Sequence, residues 1–112
     1  MAEGCLFCKI VAGDVPAQKV YEDEHSVAFA DINPQAPTHV LVVPRQHFSD
    51  IAALAADPQA AAGLLAGIRG FAEQEGLSAF RTVFNTGAET GQTVFHAHAH
   101  VLAGRRMGWP PG

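Results

Sequence analysis

Residues 93–102 read TVFHAHAHVL, which places His96, His98 and His100 at every second position with only alanine between them. The chain has six histidines, and half of them fall in this one short run. Alternation of this kind is the period of a β-strand. The three imidazoles then share one face with Val94 and Leu102, while Thr93, Phe95, Ala97, Ala99 and Val101 take the other. Alternate side chains on a strand stand about 6.5–7 Å apart. That is too far for the rings to duplicate one another and near enough for all three to meet one small ligand. Imidazole serves as a nucleophile, as an acid or base near neutral pH, or as a metal ligand. A metal-buffering histidine tract, or three polar residues on the wet face of an edge strand, would give the same pattern. The preceding NTGAETGQ (85–92) favours chemistry. Its glycines let backbone N–H groups approach an anion, and Asn85 and Gln92 offer donors that do not titrate. Together the two segments read as an oxyanion or phosphate cradle beside a nucleophile.

Outward from this strand the chain alternates short elements. LFCKIVAG (6–13) reads as a short helix closed by Gly13, with Pro16 forcing a turn. KVYEDEHSVAFADI (19–32) reads as two strands around an acidic turn at Glu22, Asp23 and Glu24. THVLVVP (38–44) is a β-branched run buried on both faces. The clearest helix is capped by Asp57, with Pro58 in its first turn; Leu64, Leu65, Ile68, Phe71 and Ala72 recur at helical spacing and Gly76 stops it. Gly63, Gly67 and Gly70 lie along a neighbouring face, either tolerated in an alanine-rich helix or marking close approach of another backbone, even a second subunit. FRTVFN (80–85) is a fourth strand, TVFHAHAHVL a fifth, and the tail GRRMGWPPG is irregular. Strands, one long helix and further strands predict an α+β fold with helices on an antiparallel sheet.

A chain of 112 residues is expected to form one domain, residues 1–112, with enough buried surface for a true core. Hydrophobic residues make up 48% and charged residues 16%, a globular rather than a disordered composition. The formal net charge of −4 argues against duplex nucleic acid or an anionic membrane as the main partner. A small phosphate ligand is still compatible with it. The opening MAEGCLFCKI lacks the pattern of a secretory signal, and no run is apolar enough to span a bilayer. The expected location is the cytoplasm, with Cys5 and Cys8 as reduced thiols.

The run His96-Ala97-His98-Ala99-His100-Val101-Leu102 resembles the signature of the histidine-triad family of nucleotide hydrolases and transferases. The likeness extends from LFCKI through FADINPQAPTHVLVVPRQH and NTGAETGQTVFHAHAHVLAGR to GWPPG. DINPQAPTH and WPPG look most like the Hint branch, the purine nucleoside phosphoramidases, and less like the dinucleoside polyphosphate hydrolases. The resemblance implies a homodimer of α+β protomers, each with a five-stranded antiparallel sheet, one long helix and one or two short ones. It implies cleavage of the P–N bond of AMP-linked amines through a covalent nucleotidyl-histidine. His98 would be the nucleophile, its tautomer fixed by a backbone carbonyl such as that of His96. His100, Asn85, Thr93 and the backbone near Gly91 and Gln92 would stabilise phosphate oxygens, with Val94 beside them. His39 is either the relay of a proton to the site or a buried partner of a triad member. Asp31 would accept from both ribose hydroxyls. Phe29, Ile32, Leu41, Phe7 and Val15 would wall the purine, although from their residue types alone they read as ordinary core. Trp109 would border the partner subunit's site, or plug the fold locally. Alanine is smaller than the usual spacer between the triad histidines, which would loosen packing behind them. Dinucleoside polyphosphate hydrolysis, or nucleotide binding by a regulatory scaffold with incidental activity, is the alternative function.

Cys5-x-x-Cys8 fits two ligands on a tight turn or first helical turn. Zinc would need two more, and the resemblance offers His47 and His96. The metal would then be structural, with no cofactor required for catalysis. Two buried thiols acting as small hydrophobes are the plain alternative. A redox role is disfavoured, because no thioredoxin-like βαβ pattern surrounds the pair.

Overall fold

A computed structural model describes residues 4–112; the first three residues of the stretch read for a leader lie outside the described residues. The order of elements is α1 (Leu6–Ala12), β1 (Lys19–Glu22), β2 (Ser26–Ala30), β3 (Thr38–Pro44), α2 (Ile51–Ala55), α3 (Pro58–Gln74), β4 (Arg81–Val83) and β5 (Ala99–Ala103). The strands form one antiparallel sheet in the order β1-β2-β3-β5-β4. The α+β expectation and the five strands hold.

The pleat of the sheet divides the core in two. Ala28, Val40, Val42, Ala97, Ala99 and Val101 face α3, where they meet Leu64, Ile68 and Phe71. Each of the valine, leucine, isoleucine and phenylalanine side chains withdrawn from water contributes about 1.5–3 kcal/mol. Val27, Phe29, Leu41 and Val43 face the other way, against Phe7 and Ile10 of α1. β3 is therefore buried on both faces, as its apolar run predicts. The two alanine spacers are not loose: Ala97 and Ala99 are 1% and 0% exposed, seated under α3 where a larger residue would push the helix away.

The helix caps follow the sequence. The Asp57 side chain accepts from the Ala60 N–H, Pro58 starts α3, and Gly13 closes α1 with a left-handed φ of 84°. The glycines of α3 form a trough that receives side chains of the β1–β2 hairpin rather than another backbone. A Cβ at Gly67 would lie 2.5 Å from the Ser26 hydroxyl, one at Gly63 would lie 2.8 Å from the His25 Cβ, and one at Gly70 would strike the Tyr21 hydroxyl.

The bounds of two strands need correction, and one of the short helices was not located from the sequence. α2 is not signalled by any periodicity, since five residues are too few to show one; its start is marked by Asp50, which accepts from the Ala53 N–H. The fifth strand begins at Ala99, not at Thr93, so His96 and His98 precede it. Pro44 ends β3 without an N–H to offer, and the next chain atoms find other partners. Ala97 N–H donates to the Phe48 carbonyl, while the His96 carbonyl is taken by the His98 ring. The fourth strand is likewise shorter than FRTVFN, covering Arg81–Val83.

Candidate active site

The face of the sheet turned toward α1 opens into a cavity of about 770 Å³. Phe7, Val15, Phe29 and Leu41 line it, together with Asn85, Gly91, Thr93, Val94, His98 and His100. A space of this size with few polar groups suits a small organic ligand. Phe7, Phe29 and Leu41 are at once core and cavity wall. Ile32 lines the cavity too but is fully exposed at 102%, so it is a rim residue and not a packed wall.

The three triad histidines have three different fates. His98 is the ring at the cavity with a fixed tautomer. Its Nδ1–H donates to the His96 carbonyl at 2.7 Å, so a neutral ring carries its lone pair on Nε2. The edge of Phe7 packs against it, ring centres 5.0 Å apart, and restrains its rotation. His100 also lines the cavity, and its Nδ1 lies 3.0 Å from His39 Nε2. Burial, with the neighbouring His98 and His39, holds the His100 pKa below the ordinary imidazole value, against the pull of Asp31 in the other direction. His96 is fully buried and is absent from the cavity wall, so its side chain is not positioned for chemistry there. This divergence removes the metal-buffering reading, which requires the three rings to share an ion.

His39 is 7% exposed, lies outside the cavity lining and reaches it through His100. Asp31 lines the cavity and holds its own turn, with Oδ1 accepting from the Asn33 N–H at 2.8 Å. The glycine-rich loop folds around a single 3-10 turn, Ala88–Thr90, and Gly91 leaves it with a φ of 105° that only glycine adopts comfortably. Gln92 turns away from the cavity. Its Oε1 accepts from the Gly87 N–H, and its Nε2 donates to the carbonyls of Ser49 and Val94. It shapes the loop and is not itself a donor to a ligand. Trp109 is 83% exposed and does not line this cavity within one chain. Gln35 and Pro44 carry no signal in the sequence, because they act through backbone atoms. The Gln35 N–H donates to His39 Nδ1 at 2.9 Å, and the Pro44 carbonyl accepts from His96 Nε2 at 2.9 Å.

Behind the triad, Cys5, Cys8, His47 and His96 bring four ligand atoms within 4.8 Å of one another. Three of the four sulfur–nitrogen separations are 3.5, 3.3 and 3.5 Å, and the two Nδ1 atoms are 3.2 Å apart. A tetrahedron built on Zn–S of about 2.3 Å and Zn–N of about 2.05 Å has edges of about 3.5 Å and 3.3 Å. The donor set therefore fits zinc. The Pro44 carbonyl fixes the His96 proton on Nε2 and turns its Nδ1 lone pair toward the thiols. Burial keeps the His96 pKa low, which favours the neutral ring a metal needs.

Among the described residues no helix is long and apolar enough to cross a membrane. The chain is 47% identical over the full length of both proteins to an uncharacterised HIT-like protein of Synechococcus elongatus. It is 42% identical to a 14 kDa zinc-binding protein of Zea mays, over 96% of this chain and 87% of that protein. The crystal structure of a HIT family hydrolase from Legionella pneumophila superposes with a TM-score of 0.91 at 46% identity, covering 97% of this chain and all of that one. The HIT domain model matches residues 12–107. With the alternating histidines, the glycine-rich loop and the five-stranded sheet in place, the chain belongs to the HIT domain family.

Proposed function

We propose that this chain is a hydrolase of the Hint type, which cleaves the P–N bond of purine nucleoside phosphoramidates such as AMP-linked amines. The observation that carries the reading is the hydrogen bond from His98 Nδ1 to the His96 carbonyl, which leaves a nucleophilic Nε2 on a ring lining the cavity. In this reading Nε2 attacks the α-phosphorus. The P–N bond breaks with its electron pair going to the amine nitrogen, which takes a proton from water. His98 becomes a positively charged nucleotidyl-imidazole, and its bond to the carbonyl strengthens as that charge develops. Water then attacks the same phosphorus and returns the electron pair to Nε2, which completes a two-step displacement.

The anionic oxygens would be met by His100, Asn85, Thr93 and the backbone at Gly91, all of which line the cavity. Asp31 presents a carboxylate suited to a vicinal diol. Phe7, Phe29, Leu41 and Val15 supply apolar surface for a flat base. A zinc ion held by Cys5, Cys8, His47 and His96 would be structural, fixing the chain just before His98. A second copy is expected to pair with this one. Trp109 would then sit near the partner's cavity.

The test is mass spectrometry of protein quenched during turnover of an AMP-linked amine. A nucleotidyl adduct on His98 is expected. An adduct elsewhere, or turnover that proceeds unchanged in His98→Ala, overturns the mechanism. Preferential turnover of a diadenosine polyphosphate would move the chain to the other branch.

A further inference from the structure

Asp31, His39 and His100 also lie within metal-binding distance of one another. Their proton arrangement excludes that use. The Gln35 N–H occupies the lone pair of His39 Nδ1, so the neutral ring carries its proton on Nε2, where a metal would need a lone pair. That one proton faces two acceptors. His100 Nδ1 is 3.0 Å away and Asp31 Oδ2 is 3.4 Å away, within reach of a forked hydrogen bond. Oδ2 is also 3.9 Å from His100 Nδ1. The other oxygen of Asp31 is committed to Asn33, which leaves Oδ2 for His39 or for a ligand in the cavity. The charged or titratable groups facing His100 are His39, Asp31 and His98, on three separate segments.

We propose that Asp31 and His100 compete for the single Nε2 proton of His39, and that a ribose diol bound at Asp31 settles the competition in favour of His100. Sugar hydroxyls donating to the carboxylate weaken Oδ2 as an acceptor, so the His39 N–H turns to the nearer His100 Nδ1. His100 is then held as the Nε2–H tautomer, and its only remaining polar atom is a donor at the phosphate end of the cavity. No proton changes its heavy atom on His39; only the acceptor changes. Asp31 is thus a positioning residue for a phosphate donor as well as a sugar ligand, and sugar identity reaches the chemical step. The inference rests on the cavity being a nucleotide site.

The experiment combines nitrogen-15 NMR of the histidine rings with steady-state rates. AMP is expected to shift His98 and to move His100 toward the Nε2–H tautomer, while 2′,3′-dideoxy-AMP shifts His98 alone. With AMP-amine substrates, removing both hydroxyls is expected to lower kcat by about three- to tenfold, the worth of one shared hydrogen bond, besides raising KM. In Asp31→Asn, the amide oxygen can keep the turn to Asn33 while the amide N–H₂ no longer competes. His100 should be locked in that tautomer without ligand, and kcat should lose its sensitivity to the hydroxyls. Equal His100 responses to both nucleotides, or an Asp31→Asn protein whose kcat still tracks the hydroxyls, overturns the inference and leaves the nucleotide site standing. No shift at His98 with either nucleotide removes the nucleotide reading and this inference with it.

Discussion

Two polar clusters flank the triad, and by distance alone they look alike: Cys5, Cys8, His47 and His96 on one side, Asp31, His39 and His100 on the other. What separates them is where the backbone places the protons. At His96 a carbonyl, Pro44 O, takes the outer N–H, so the inner nitrogen offers a lone pair to the cluster. At His39 an amide, Gln35 N–H, fills the outer lone pair, so the inner nitrogen offers a proton. One backbone acceptor and one backbone donor make the first group a donor set that fits a metal and leave the second a hydrogen-bonded group that does not. His98 lies between them in the chain and belongs to neither.

That contrast can be broken at several points. The largest effect is expected from His98→Ala, which should lower turnover by on the order of 10⁴-fold or more, as loss of a nucleophile does. Elemental analysis of the same variant should still find about one zinc per chain, because the cradle lies behind the ring and not on it. Cys8→Ser should come next. Zinc content should fall, with a drop in Tm of about 10 °C or more on loss of a structural metal. Asp31→Asn should leave zinc content unchanged; a second zinc lost with Asp31 would show that both clusters are cradles. His39→Phe removes the donor to His100 and should cost about tenfold in kcat, the worth of one hydrogen bond near the reacting atoms, with zinc retained. The smallest effect concerns acid. The His100 pKa is lowered by folding, so the native state resists protonation there. Its contribution to stability is complete above the unfolded imidazole value of about 6.5 and is lost as pH falls below it. His100→Gln should flatten that part of the stability profile, measured by urea denaturation from pH 7 to pH 5. An unchanged slope would show that His100 is not held neutral by its surroundings.

Much of this was legible before any coordinates. The long helix announced itself through Asp57, Pro58 and the spacing of Leu64, Ile68 and Phe71. β3 did so through its unbroken apolar run. The triad and the glycine-rich loop mark the cavity by residue type, and Asp31 enters it only through the family resemblance. The divergence of the three histidines was not legible, because a two-residue period fixes which face a ring takes and says nothing of its partner. The late start of β5 was hidden for a related reason. Alternation of side chains persists through His96 and His98 even where strand pairing has stopped, since the His98 ring occupies the carbonyl that a neighbouring strand would use. Gln92 looked like a ligand donor because its amide is chemically fit for that; only its bonds to Gly87, Ser49 and Val94 show that the amide is fully engaged in the loop. The trough of Gly63, Gly67 and Gly70 could be read as a site of close approach, but not as one for the hairpin of the same chain. Gly67→Ala tests it: the gain of about 1 kcal/mol in helix propensity should be outweighed by about 1–3 kcal/mol of overpacking against buried Ser26, for a net loss on denaturation.

The first helix is seven residues long, and adjacent positions on it look in two directions. Phe7 presses its edge on His98 while Cys8 joins the thiol–imidazole cluster. One short rod therefore ties the wall of the ligand space to the anchor behind it. Descendants of this chain that abandon the two sulfurs would have to seat the rod by other means, or accept a catalyst whose aim wanders.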